Sequence, residues 1–186
     1  MGLIRILIYA FMVLLSCSCG KKAQLPHNKY AERDSTVQKI IEMNTMLSDM
    51  EEADIDEYVE KSGKRFNTTG TGVRISIDNE CSSAKGDSVR NGDLVKLEYK
   101  LESTDGKLIY DKTGKNAETI EVGKGRRQTG LAEGLTNLRE GDSATIVVPS
   151  ILAYGALGDQ NQIQPRQTLV YKIVSIKTLK SQKTNK

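Results

Sequence analysis

The chain of 186 residues contains no tryptophan, two phenylalanines and a single histidine, His27, which stands beside Pro26. One imidazole so placed excludes a Ser-His-Asp triad within a folded domain and rules out a histidine-rich metal site. Only three cysteines occur, Cys17, Cys19 and Cys81; Cys19 and Cys81 could pair in an oxidising compartment, but Cys19 lies in a tether-like stretch, so a structural disulfide is not expected. Cys81 reads as an unpaired thiol, because no histidine stands near it to act as a base. Charge of one sign is missing too: 27 basic and 24 acidic residues leave +3, with the carriers scattered, so nothing in the balance calls for nucleic acid. The longest apolar run, Ile6 to Leu15, is ten residues. A bilayer of about 30 Å needs roughly 20.

That short run behind Arg5 predicts a signal peptide over residues 1–16. Leu14, Leu15 and Ser16 before Cys17 resemble a bacterial lipobox, in which the cysteine is acylated and becomes the mature N-terminus. Cys19, after Ser18, is the alternative, and a plain secretory signal with two incidental cysteines is the blander reading. Two or three acyl chains would hold the protein on a membrane, since one chain alone binds marginally. The expected location is the cell envelope, lipid-anchored at the outer membrane or at the periplasm-facing inner membrane. Residues 17–33, polar and aperiodic around Pro26, form a tether.

Residues 34–66 predict a helical extension. Val37, Ile40, Ile41, Met43, Leu47 and Met50 recur at mostly three-and-four spacing, and a second short helix is expected after a cap at Asp54, with Gly63 as its stop. Such an arm serves as a homodimer interface or client holder, or it packs on its own domain or spaces it from the membrane. β-rich sequence fills residues 67–186, with a core at 86–177. Asn67 to Gly72 is a turn cluster. In Leu94 to Leu101 the residues Val95, Leu97, Tyr99 and Leu101 share one face and Lys96, Glu98 and Lys100 the other, a half-buried strand. Leu131, Leu135 and Leu138 mark a helix of about two and a half turns. The fold class is α+β: a curved antiparallel sheet of five to six strands wrapped on one short helix.

Between the apolar ends at Val148 and Tyr171 lies a loop with Gly155, Gly158 and Pro165. Held by sheet at both ends, it can hang Tyr154 and Ile163 over a shallow apolar cup. The order DG…YD, VGKG…TGLAEGL, REGD, VPSILAYGALGD and IQPRQTLVY resembles FKBP-type peptidyl-prolyl cis-trans isomerases, in particular lipoprotein members described as gliding-motility-associated. The likeness covers roughly residues 86–177.

The resemblance implies an FKBP-like fold and a proline pocket. Tyr99, Tyr110, Asp111 and Tyr154 fall at its catalytic positions, with the Tyr154 hydroxyl meeting the substrate carbonyl. Asp111 would orient a tyrosine hydroxyl or a backbone N–H at the pocket edge. Val122, Gln128, Leu131, Ile163 and Tyr171 fall at substrate-binding positions, Leu131 standing where many members carry tryptophan. The sequence departs from the pattern at Gln128, which replaces an aliphatic residue after Arg126 and Arg127. It departs again at Glu118, where an aromatic is common, and at Gln164, where a proline is usual. Tyr110 and Tyr171 replace phenylalanines.

Rotation about an X–Pro amide breaks no bond, so the chemistry asks for no nucleophile, metal or cofactor. It faces about 18–20 kcal/mol because the C–N bond is partly double. The planar amide is the more charge-separated form, so a dry cup favours the twisted one. The expected activity is therefore isomerisation of X–Pro bonds in exported polypeptides. A slow or non-catalytic proline-binding scaffold, and an envelope lipoprotein whose arm does the work, are the competing readings.

Overall fold

Alternation in LVKLEYKLE makes the central strand: Val95, Leu97, Tyr99 and Leu101 are buried, while Lys96 and Lys100 between them face solvent. The computed structural model describes residues 29–79, 86–124 and 129–179. In chain order these form helix α1 (Lys29–Ser62), β1 (Asn67–Thr68), β2 (Arg74–Asn79), β3 (Leu94–Glu102), β4 (Leu108–Lys112) and β5 (Glu118–Glu121). Helix α2 (Thr129–Leu135), β6 (Ser143–Val148) and β7 (Leu169–Leu179) follow. Cys17, Cys19, His27, Cys81, Arg126, Arg127 and Gln128 lie outside the described residues.

The strands join in one antiparallel sheet ordered β1-β2-β6-β7-β3-β4, with β5 paired to the first half of β3. It has seven strands where five or six were expected. The extra one is β1, two residues inside the turn cluster that pair with Arg74 and Ile75. So short a strand leaves no periodic trace in the sequence. Helix α2 ends at Leu135, earlier than the leucine spacing predicts, although Leu138 beyond it is still buried. Two glycines let α2 lie close to β6. A Cβ on Gly130 would come within 2.3 Å of Val148 Cγ1, and one on Gly134 within 2.6 Å of Ile146 Cγ2.

Most of the core lies on one face of the sheet, where Leu97, Leu135, Leu138, Ile146, Leu169 and Ile176 are fully enclosed. Val147 and Val170 pair with each other, alternate with Ile146 and Tyr171, and therefore face the other way. On that second face they pack with Ile55 from α1, with Tyr58, Val59 and Phe66 around them.

The chain divides into two compact units, residues 1–44 and residues 45–186. In the first, the described residues are helical and Val37, Ile40, Ile41 and Met43 are exposed. The second holds the sheet and the rest of α1. One correction concerns that helix: α1 runs unbroken to Ser62, and Asp54 lies inside it instead of capping a second helix. Glu51, Glu52 and Ala53 are good helix formers with no glycine or proline beside them, so nothing interrupts the backbone hydrogen bonds there. Gly63, with φ of 64°, provides the expected stop.

Candidate active site

Register brings the site's tyrosines together. Leu101 of β3 pairs with Tyr171 of β7 on one side and with Tyr110 of β4 on the other, and Tyr99 shares its face two residues earlier. The rings of Tyr99 and Tyr171 stand 5.4 Å apart at 49°, the tilted geometry that aromatic pairs favour. Both residues are buried, as are Val122 beyond β5, Leu131 on α2 and Ile163 on the β6–β7 loop. Tyr110 and Tyr154, half-buried, pack on the same cluster. Seven of the expected residues thus belong to one apolar cluster.

The loop over residues 149–168 is shaped by its own polar groups. Short 3-10 turns at Ser150–Leu152 and Gly155–Leu157 flank Tyr154. Arg166 N–H donates to the Gly155 carbonyl at 2.8 Å. The Asp159 carboxylate accepts the amides of Asn161 at 2.9 Å and Ile163 at 2.8 Å, and also the Tyr110 hydroxyl. Asn161 Nδ2 donates to that same hydroxyl oxygen at 3.1 Å. Burial pushes the Asp159 carboxyl up, yet the Tyr110 hydroxyl and the loop amides outweigh it and hold the group below its ordinary value. The same bond raises Tyr110.

At the edge of the cluster the Tyr99 hydroxyl donates to Glu118 Oε2 at 2.8 Å. Burial first and the Glu118 carboxylate second push the Tyr99 phenol far above its ordinary range. Tyr171 is raised by burial and then by the neighbouring Tyr154 and Glu118. These phenols are therefore neutral hydrogen-bonding groups at any physiological pH.

Asp111 is not part of that apolar cluster. It pairs with Lys100, on the face of β4 opposite Tyr110, and is exposed. Its carboxylate accepts the Thr113 amide at 3.0 Å and the Thr113 hydroxyl at 2.6 Å, and the hydroxyl bond is the main influence lowering its pKa. It holds a backbone N–H, while Asp159 holds the tyrosine hydroxyl. Gln128 lies outside the described residues.

Glu118 stands at a position the resemblance already assigns to the pocket, but its bond to Tyr99 was not expected, and Asp159 was not expected at the site at all. Glu118 is opposite Leu97, one diagonal step from Tyr99 on the same face, a relation that only the β3–β5 register creates. Asp159 had a local signal, since Asp followed two residues later by Asn favours an Asx turn, but its tie to Tyr110 crosses 49 positions. Among the described residues no cluster of His, Cys, Asp or Glu is placed to hold a metal ion.

Residues 85–175 match the model of the FKBP-type peptidyl-prolyl cis-trans isomerase domain. They belong to that family. The wider chain is similar to the FKBP-type isomerase FkpA of Escherichia coli K12, 32% identical over 124 residues, which are 66% of this chain and 44% of that protein. A probable FkpA of Neisseria meningitidis serogroup B is 30% identical over 126 residues, 68% of this chain and 44% of that protein. The chain thus spans less than half the length of these relatives. Among solved structures, E. coli FkpA superposes with a TM-score of 0.58 at 22% identity, covering 95% of this chain and 81% of that one. The N-terminal domain of Arabidopsis thaliana FKBP42 gives 0.53 at 20% identity over 61% of this chain and 92% of that one. Both show the FKBP fold, whose sheet and short helix here carry the tyrosine cluster.

Proposed function

We propose that the chain is a peptidyl-prolyl cis-trans isomerase of the cell envelope, acting on X–Pro bonds of exported polypeptides. The observation that carries this reading is the Tyr99–Tyr171 pair, 5.4 Å between ring centres, set among Val122, Leu131 and Ile163 in an FKBP domain. A pyrrolidine ring entering the hollow leaves water, and burial of a group that size contributes about 1.5–3 kcal/mol to binding. Acceleration has to come from what the twisted amide gains over the planar one. Loss of water destabilises the charge-separated planar form, and in this reading the Tyr154 phenol donates to the rotating carbonyl. Each tenfold in rate asks for about 1.4 kcal/mol, so a few such effects suffice.

Lipid anchoring at Cys17, or at Cys19, rests on the Leu14-Leu15-Ser16-Cys17 pattern behind a short apolar run. It places the domain in the lipoprotein subgroup that the sequence resembles. The exposed apolar side chains of Val37, Ile40, Ile41 and Met43 suit a second copy of the chain as partner, which sedimentation would measure.

A chymotrypsin-coupled assay on an Ala-X-Pro-Phe peptide tests the activity. The chain should accelerate isomerisation, and Tyr154→Phe should lower kcat/KM by about tenfold, one transition-state hydrogen bond. A rate equal to that of buffer alone would reject the isomerase reading.

A further inference from the structure

We propose that Glu51, on helix α1 and outside the hollow, is a positioning residue that fastens both ends of the active-site loop. This rests on the isomerase reading for its kinetic consequence, although the geometry stands without it. Glu51 Oε1 accepts the Ser150 amide at 2.6 Å and the Thr168 hydroxyl at 2.6 Å. Its second oxygen accepts the Ser150 hydroxyl at 2.9 Å. Ser150 follows β6 by two residues and Thr168 immediately precedes β7, so one carboxylate closes the loop that bears Tyr154 and Ile163.

Both hydroxyl residues are buried, Ser150 at 4% exposure and Thr168 at 7%. Without Glu51 they and the Ser150 amide would lose a charged acceptor in a place that water reaches poorly. The carboxylate is itself held in place. Ile55, one turn along α1 and fully enclosed, packs on Val147 and Val170, which lie within the last two residues of β6 and the first two of β7. Apolar contact thus seats the helix behind the strand ends, and Glu51 reaches from it to the loop ends. A second set of helix ties goes elsewhere: Arg74 of β2 pairs with Glu52 and, at 3.3 Å, with Asp56. That set touches neither loop end, which makes it a natural control.

The functional consequence follows from pre-ordering. A loop whose ends are fixed before substrate arrives presents the Tyr154 phenol and the Ile163 side chain in place, so less ordering is left for the rotation step.

The test uses the full chain and compares Glu51→Ala, Glu51→Gln and Arg74→Ala in the peptide assay, together with amide hydrogen exchange over residues 149–168. Glu51→Ala should lower kcat/KM by about tenfold, the scale of one charge-assisted hydrogen bond. It should also speed exchange in the loop by a similar factor. Glu51→Gln, which keeps an acceptor for the Ser150 amide, should recover most of the rate. In a Tyr154→Phe background Glu51→Ala should cost clearly less than in the original chain, because part of the effect is exerted through Tyr154 and only the part through Ile163 remains. Arg74→Ala should lower Tm and leave kcat/KM unchanged. The proposal is overturned if Glu51→Ala leaves loop exchange unchanged, if its kinetic cost persists fully without the Tyr154 hydroxyl, or if Arg74→Ala reproduces it. Should the unmodified chain show no isomerase activity, the proposed function fails, and loop exchange alone decides whether Glu51 fastens the loop.

Discussion

Tyr99 and Glu118 meet at 2.8 Å across the β3–β5 pair, the phenol donating to the carboxylate at the edge of the apolar cluster. Tyr99 is 6% exposed, so its hydroxyl has little access to water. Glu118→Ala should therefore destabilise the domain by about 1–3 kcal/mol, the cost of an orphaned buried donor. The double variant Tyr99→Phe with Glu118→Leu removes donor and acceptor together and should unfold near the original urea midpoint. Equal losses in the single and double variants would show that the bond is not what matters.

Asp159 is the hub of the loop's distal half, accepting from Ile163, Asn161 and Tyr110 at once. Asp159→Ala frees Ile163, a wall of the hollow, and the KM for a proline tetrapeptide should rise by about fivefold to tenfold, the loss of one or two such bonds. Steady-state kinetics would check this, and an unchanged KM would place Ile163 outside the binding step.

At Gly158 the backbone sits at φ 63° and ψ −160°, and a Cβ would lie 2.1 Å from the Ile163 carbonyl oxygen. Gly158→Ala should cost more than about 2 kcal/mol, because strain and collision add. Gly63 has nearly the same φ, 64°, with no atom within 4 Å of its added Cβ. There Gly63→Ala should cost only about 1 kcal/mol from backbone strain alone. Urea unfolding of the two variants measures the gap, and similar losses would remove the collision from the account.

The pH response has two edges. Asp159 and Asp111 are held below their ordinary values when folded, so their contribution is complete above the usual carboxylate range of about 4 and disappears as pH falls through the lower folded values. Tyr99 and Tyr171 are raised, so theirs is complete below about 10 and is lost as the solution becomes more alkaline. Stability and kcat/KM should be level between these edges. A bell centred near neutrality in the peptide assay would contradict this account, since these four groups place their edges on the acid and alkaline sides.

Much of the site was legible because local pattern and motif agree. The alternation through Val95, Leu97, Tyr99 and Leu101 fixed which side of β3 faces the core, and the AYG and TLVY segments placed Tyr154 and Tyr171. Asp111 was expected to hold a tyrosine hydroxyl or a backbone N–H, and it holds the Thr113 N–H; which side of β4 it takes was not legible from its adjacency to Tyr110, because neighbours on a strand point to opposite faces. The single long α1 was broken in two because Asp54 looked like a cap, a signal that favourable neighbours and tertiary packing at Ile55 override.

Residue order alone thus indicated the class of fold and the tyrosines that gather beside Leu101, since burial period and loop chemistry are written in short stretches of chain. The fold alone decided which acid serves which hydroxyl. Glu118 reaches Tyr99, Asp159 reaches Tyr110, and Glu51 reaches Thr168 across 117 positions. Such pairings depend on strand register and helix docking, and those are set by the summed packing of the whole domain, not by any segment of it.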